Sequence, residues 1–131
     1  MTQEDKDLLL KDLCGRLLYG VKVRIYNHFY DDFFDEFITI ENISAILERF
    51  DISDIKPYLF PLSSMTEEQY ESLNKSNCAH SIEYSSKNGF KCLYFKTYSL
   101  ELIDWLNENH FDYRGLIPMG SAIDATGLNI Y

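Results

Sequence analysis

The stretch that decides the fold class is VKVRIYNHFYDDFFDEFITI, residues 21–40. From Val21 to Tyr26, apolar side chains alternate with polar or amphipathic ones, and this period of two predicts a half-buried β-strand. Residues 27–32 are predicted to form a turn, and residues 33–40 are rich in the aromatic and β-branched side chains that favour strands. The stretch therefore predicts two neighbouring strands that pair with each other.

A second hairpin is predicted further along the chain. Residues 80–86 and 90–98 alternate in the same way and flank Lys87-Asn88-Gly89. Asn-Gly adopts the positive backbone dihedrals of a tight two-residue turn, so it is a strong hairpin signal.

Helices are predicted before, between and after these hairpins. Capping patterns predict three of them, and a helix-spaced run of leucines supports the first. They are residues 3–14, with Thr2 and Asp5 as the capping pair, Glu67–Lys75, with Thr66 and Gln69 as the capping pair, and an amphipathic helix from Ser99 to Asn109 that carries Trp105.

Two segments give weaker signals. Residues 43–50 fit helical spacing and strand alternation about equally, so both remain open. Residues 51–64 hold Pro57 and Pro61 and are predicted to be an ordered, irregular connection, and residues 77–79 a linker.

These elements predict an α+β fold in a single domain of residues 1–131. We expect a small antiparallel sheet built from two hairpins, packed by N-terminal, central and C-terminal helices. A chain of 131 residues has the length of one domain and buries enough surface to fold without disulfide bonds or a structural metal.

The charge balance limits the classes of partner. With 21 acidic and 12 Lys or Arg residues, the chain has a net charge of −9. This disfavours direct binding to nucleic acid phosphates and to anionic membranes, and it suits a basic protein partner. No apolar run reaches the roughly 18 residues of a membrane span.

The compartment predicted is the cytoplasm. The first residues, MTQEDKD, are acidic where an export signal would be basic and then apolar. Three widely spaced cysteines (Cys14, Cys78, Cys92) form no disulfide framework, which fits a reducing environment.

The candidate functional residues cluster late in the sequence. Imidazole, carboxylate, phenol and guanidinium groups lie within five residues, shortly after the only tryptophan. We call this set the His110 cluster: Trp105, His110, Asp112, Tyr113 and Arg114. One interpretation is a site in which Asp112 orients His110 for proton transfer and Arg114 holds an anion. The other is a structural clasp that ties this segment to the body of the protein.

A second candidate lies at the first hairpin. Its residues form what we call the acidic patch: Asp31, Asp32, Asp35 and Glu36. The order of ligands typical of a calcium loop is absent, so we expect either a solvated turn that protects a sheet edge or a docking surface for a basic partner.

We expect no metal and no cofactor. Cys78, His80 and Cys92 lack the paired spacing of structural zinc ligands. The segment from Gly115 to Gly120 lacks the pattern of a phosphate-binding loop.

Three blocks of the sequence resemble a known family. They are residues 9–14 with 19–21, residues 55–68, and residues 104–117. They resemble a family of small proteins from gut Bacteroidales genomes and their phages for which no activity is established. The resemblance implies a lineage and a mobile-element setting, and it implies no chemistry.

The sequence thus favours a non-enzymatic, acidic protein-interaction module, a regulator or accessory factor of a phage or mobile element. One alternative is a small enzyme or ligand-binding protein with its site around His110 to Arg114. A second is a nucleic-acid mimic, which needs carboxylates in phosphate-like rows on one face. Partner identity and oligomeric state do not follow from the sequence.

Overall fold

A computed structural model of the protein describes residues 1–75, 82–87, 90–95 and 100–131. The helices are α1 (Gln3–Arg16), α2 (Ile43–Arg49), α3 (Glu67–Lys75) and α4 (Leu100–Glu108). The strands are β1 (Val21–Asn27), β2 (Asp32–Ile38), β3 (Ile55–Pro61), β4 (Ile82–Lys87), β5 (Phe90–Phe95), β6 (Phe111–Asp112) and β7 (Ile123–Asp124). The predicted α+β class is confirmed.

Helix α1 begins as its sequence predicts. Thr2 accepts a hydrogen bond from the Asp5 N–H (3.1 Å), and the Asp5 carboxylate accepts one from the Thr2 N–H. This capping box satisfies two backbone donors that a helix start leaves unpaired. The buried face of the helix comprises Leu9, Asp12, Leu13 and Arg16, so two charged side chains lie on the apolar stripe.

The first hairpin is confirmed, and its two strands differ in burial. β1 and β2 pair antiparallel from Val21–Ile38 to Asn27–Asp32. In β1 every second side chain is fully buried against the helices, as the alternation predicts. In β2 every residue from Asp32 to Phe37 is exposed, because β2 is the edge strand of the sheet order β2-β1-β3-β6.

The prediction of an irregular connection over residues 51–64 was wrong, because Ile55–Pro61 forms the central strand β3. Its residues 57–59 are all buried, so the strand presents a continuous apolar run instead of an alternation. Short 3₁₀ turns at Ile52–Asp54 and Leu62–Ser64 flank it.

The hydroxyl of Tyr131 inserts between β1 and β3 and shows which backbone groups face which neighbour. It accepts from the Lys22 N–H (3.0 Å) and donates to the Tyr58 carbonyl (2.7 Å). Successive residues of a strand direct their N–H and C=O groups to opposite edges. Even-numbered residues of β1 therefore face β3, and odd-numbered residues face β2. Pro57, opposite Val23, directs its nitrogen away from β1, so its missing N–H removes no hydrogen bond between these strands.

The sheet also contains short parallel pairings that the sequence did not predict. β6 and β7 both pair parallel to β3, through Phe60–Phe111 and Tyr58–Ile123 respectively. The second hairpin, β4–β5, forms a separate antiparallel sheet. Its strands are close to those predicted, whereas the predicted turn residues Asn88 and Gly89, the cap Ser99 and the linker 77–79 lie outside the described residues.

The segment left open between helix and strand is the helix α2. The α3 prediction is confirmed, and Thr66 and Gln69 form the expected reciprocal cap. The core divides into two apolar clusters. One packs β1 and β3 against α1 and α2, and the other joins α3, α4 and β6. Within the part of the chain that is described, no helix is long and apolar enough to span a membrane.

Candidate functional site

The carboxylate of Asp112 is bound to backbone groups. Its two oxygens accept hydrogen bonds from the N–H groups of Leu116 (2.9 Å) and Ile117 (2.8 Å), and the side chain is buried. Both oxygens are thus committed to holding the turn that follows β6. Among the described residues, no hydrogen bond joins the Asp112 carboxylate to the imidazole of His110, whose Nδ1 is buried without a partner.

A buried ion pair lies beneath this turn. Arg16 donates from Nε to Asp12 (2.8 Å), and both side chains have no exposed surface. A second nitrogen of Arg16 donates to the Phe111 carbonyl (2.6 Å), while Arg114 Nε approaches Asp12 to 3.3 Å. Burying ions is costly unless they are paired and hydrogen-bonded. The α1 pair and strand β6 therefore depend on each other.

The ring of Tyr113 lies close to two arginines. The guanidinium carbons of Arg16 and Arg114 are 5.3 and 5.1 Å from its ring centroid, distances typical of cation–π contacts. Its hydroxyl donates to Asn107 Oδ1 (2.8 Å), and Asn107 is buried where α4 passes Gly15 of α1. These contacts join α1, α4 and the segment after β6.

His110 and Trp105 contribute stacked rings. His110 has φ of +62°, and its ring stacks on Tyr131 with centroids 3.5 Å apart. Trp105 is half-buried and stacks on Phe111 at 5.7 Å. Burial, and then the positive charge of Arg16, lower the pKa of His110 from 6.5 to about 4. The ring is therefore neutral at pH 7, and its burial makes protonation in the folded protein unfavourable.

Partly exposed side chains of this region line a surface cavity. Tyr113 and Arg114, with Leu8 and Ile103, border a space of about 430 Å³ between α1 and α4. Arg114 is the least buried charged member of the His110 cluster, with 26% of its side chain exposed.

The acidic patch is assembled on the first hairpin, but its members have different surroundings. Asp31, in a left-handed conformation, accepts a hydrogen bond from the Tyr26 hydroxyl. Asp35 accepts one from the Tyr58 hydroxyl (3.0 Å) and lies 3.6 Å from Arg24 Nε. Burial, together with the adjacent Asp35 carboxylate, raises the pKa of Tyr58.

The other two acidic side chains are Asp32, at the start of β2, and Glu36, on the side of β2 that faces α2. Asp32 Oδ1 accepts from the Phe33 N–H (2.8 Å). Glu36 faces α2, where it lines a cavity of about 350 Å³ together with Arg49, two asparagines and several apolar side chains. The apolar lining comprises Ile25, Phe34, Ile46 and Phe50.

Exposed aromatic side chains surround the acidic patch. Phe29 and Tyr30 at the tip of the hairpin are 86% and 74% exposed, and Phe33 and Phe37 of β2 are 59% and 45% exposed. On the face opposite α1, Lys22 lies over the Phe37 ring and Arg24 over the Phe33 ring. The hairpin thus combines charge with apolar surface outside the core.

Sequence reasoning missed several residues that organise these regions. Asp12 and Arg16 have the i, i+4 spacing of an ion pair and fall on the stripe Leu9, Asp12, Leu13, Arg16, so the signal was present in α1. Tyr58 and Tyr131 gave no signal, because their roles depend on how distant strands pair.

The side chains of Cys78, His80 and Cys92 lie outside the described residues, and Cys14 is exposed and free. Among the described side chains, no group of three or more His, Cys, Asp and Glu residues is placed to hold a metal ion.

Comparison of the chain with protein-family models, curated proteins and solved structures finds no match. The resemblance to the Bacteroidales family therefore stays a prediction, and so does the cytoplasmic location.

Proposed function

We propose that this protein is a non-enzymatic interaction module that binds a basic protein partner through its first hairpin. The observation that carries the proposal is that every residue of β2 from Asp32 to Phe37 is exposed, with large aromatic and acidic side chains together at the sheet edge. Exposed apolar patches bordered by charge are typical of protein-binding surfaces.

The contrast with the His110 cluster supports this choice. A catalytic site needs side chains that converge in an open cleft and keep free atoms for substrate. The carboxylates of Asp112 and Asp12 are instead bound to backbone N–H groups and to Arg16. Their bonds favour the clasp interpretation of this region.

A pull-down from lysate of a host cell tests the proposal when it is run with matched variants. The tagged protein is compared with Phe29→Ser/Tyr30→Ser and with the control Leu18→Ser, which removes an apolar side chain that is 78% exposed elsewhere. A protein recovered by the wild type is then purified and titrated against all three at two salt concentrations.

The expected result is a basic protein whose affinity falls about tenfold or more with the Phe29/Tyr30 variant and falls with added salt. The Leu18 control should bind like the wild type. Equal binding by all three proteins would show that the hairpin is not the docking surface.

One observation favours a second candidate, a small-ligand site at Arg114. The cavity bordered by Leu8, Ile103, Tyr113 and Arg114 offers a guanidinium beside an aromatic ring. Ligand-observed NMR with small carboxylates and phosphates tests it. If Arg114→Gln loses this binding while its free energy of unfolding equals that of the wild type, the result would support a ligand site over the clasp interpretation.

The nucleic-acid mimic receives less support. Asp35 and Glu36 alternate along β2 and so face opposite sides of the sheet, and Asp35 is already paired with Arg24. This arrangement does not form a row of free carboxylates on one face.

A further inference from the structure

The edge of β2 carries a short set of backbone groups with no neighbouring strand. Because odd-numbered residues of β1 bond to β2, the β1 ladder engages residues 32, 34, 36 and 38 of β2. The N–H and C=O groups of Phe33, Asp35 and Phe37 consequently face away from the sheet.

Both ends of this row are closed by side chains. Asp32 Oδ1 accepts from the Phe33 N–H (2.8 Å), and Asn42 Nδ2 donates to the Phe37 carbonyl (2.7 Å). Four groups remain between these closures: the Phe33 C=O, the Asp35 N–H, the Asp35 C=O and the Phe37 N–H. Within the described part of the chain, no hydrogen bond engages them. We call these four groups the open edge.

The side chains beside the open edge indicate what kind of strand fits there. Residues 21–41 hold five carboxylates against Lys22 and Arg24, so this region attracts a basic segment. On the α2 side, the lining of the cavity of about 350 Å³ includes apolar side chains, Phe34 among them, and the carboxylate-bearing Glu36. An added strand alternates its side chains between the two faces, so every second residue reaches that side.

We propose that the open edge binds an extended, Lys- or Arg-containing segment of the partner protein as an additional β-strand. This rests on the proposed function and names its binding mode. Four backbone hydrogen bonds hold the segment, one of its apolar side chains enters the cavity beside α2, and its basic side chains face the acidic patch.

A second copy of this chain is a poorer occupant. Two β2 strands side by side bring two acidic patches together, and like charges directly opposite each other destabilise a strand pair. A basic segment has no such conflict.

The test compares two substitutions at one residue. Asp35→Ala and Asp35→Pro both remove the carboxylate and its contacts with Tyr58 and Arg24, but only proline removes the N–H of the open edge. Proline is tolerated here because that N–H makes no bond within the sheet. Circular dichroism and thermal unfolding establish that both variants are folded.

The probes are seven-residue peptides in which Lys or Arg alternates with Val, Leu or Phe, measured by fluorescence anisotropy. An acidic set with Glu at the charged positions serves as the control. We expect the basic peptides to bind the wild type, and Asp35→Pro to bind about tenfold more weakly than Asp35→Ala, because a peptide carbonyl loses its donor. The acidic set should not bind.

Equal affinities of the two folded variants, or no binding by any basic peptide, would overturn strand addition. If the peptides bind equally to both variants but fail with Phe29→Ser/Tyr30→Ser, the hairpin is the docking surface and only the binding mode is wrong. If the Phe29/Tyr30 variant also binds normally, the proposed function fails as well. Dimerisation of the peptide-free protein in sedimentation equilibrium, lost in Asp35→Pro, would assign the open edge to a second copy and overturn the partner assignment.

Discussion

The His110 cluster and the first hairpin are both dense in charged and aromatic residues, but they use them in opposite ways. Around β6, Asp112, Asp12 and Arg16 direct their polar atoms into the same chain and are buried. On β2, acidic and aromatic side chains are exposed beside backbone groups that no other strand engages in the described chain. Density of unusual residues therefore does not distinguish a buried, mutually bonded region from an exposed one, whereas the direction in which their polar atoms are satisfied does.

The largest expected effect is at Arg16. Arg16→Ala should lower the free energy of unfolding by about 3–5 kcal/mol, because it leaves the carboxylate of Asp12 buried without its main partner. Urea denaturation measures this. The exposed Lys11→Ala on the same helix is the control and should stay within about 0.5 kcal/mol of the wild type. A small effect at Arg16 would contradict the clasp interpretation.

The second-largest loss in the free energy of unfolding is expected at Trp105. Its ring stacks on Phe111 but is only half-buried, so Trp105→Ala should cost about 2 kcal/mol, below the roughly 3–5 kcal/mol typical of a fully buried Trp. Thermal and urea unfolding check the value. A change in the free energy of unfolding close to zero would mean that the ring does not stabilise the core, and that it resembles the exposed aromatic side chains of the hairpin.

His110 should give a pH-dependent effect. Its pKa is lowered from 6.5 to about 4, so between these values the unfolded chain takes up a proton that the folded protein does not. The contribution of His110 to the free energy of unfolding is at its maximum above about pH 6.5. It decreases as the pH falls towards about 4, and below that pH it no longer changes.

The variant His110→Asn isolates that contribution, because Asn tolerates the positive φ and does not titrate. The free energy of unfolding, measured at pH 7 and pH 4.5, should fall less in the variant than in the wild type. Equal falls in both proteins would mean that His110 is as easily protonated in the folded state as in the unfolded one.

The smallest effect is expected on the hairpin. Phe29→Ser/Tyr30→Ser should change the free energy of unfolding by no more than about 0.5 kcal/mol per residue, because both side chains are exposed. Urea denaturation provides the comparison with Arg16→Ala. A loss as large as that at Arg16 would mean that these aromatics support the fold, which would remove the contrast between the two regions.

The parts of the fold that the sequence predicted are those set by local chemistry. The Thr2 and Thr66 caps, the alternation in β1 and the pairing of β1 with β2 follow from neighbouring residues. Strand β3 was missed because it is buried in the middle of the sheet, where alternation disappears, and because Pro57 resembles a strand breaker.

The candidate sites show the same limit. The sequence located both groups of residues, yet it did not reveal that Asp112 bonds to backbone N–H groups or that Asp12 and Arg16 are buried. Which groups of β2 remain open depends on how β1 pairs with β2 and β3, and this pairing arises from long-range contacts. The roles of the His110 cluster and the acidic patch remain predictions.

The closures at Asp32 and Asn42 have a consequence for aggregation. An uncovered edge strand is a template on which copies of a protein stack into growing sheets. Here the two side chains shorten that template to four groups, and the carboxylates on both faces of β2 repel an identical strand. The protein thus keeps several exposed aromatic rings at a sheet edge while denying its own copies the uninterrupted row of hydrogen bonds from which a fibre would grow.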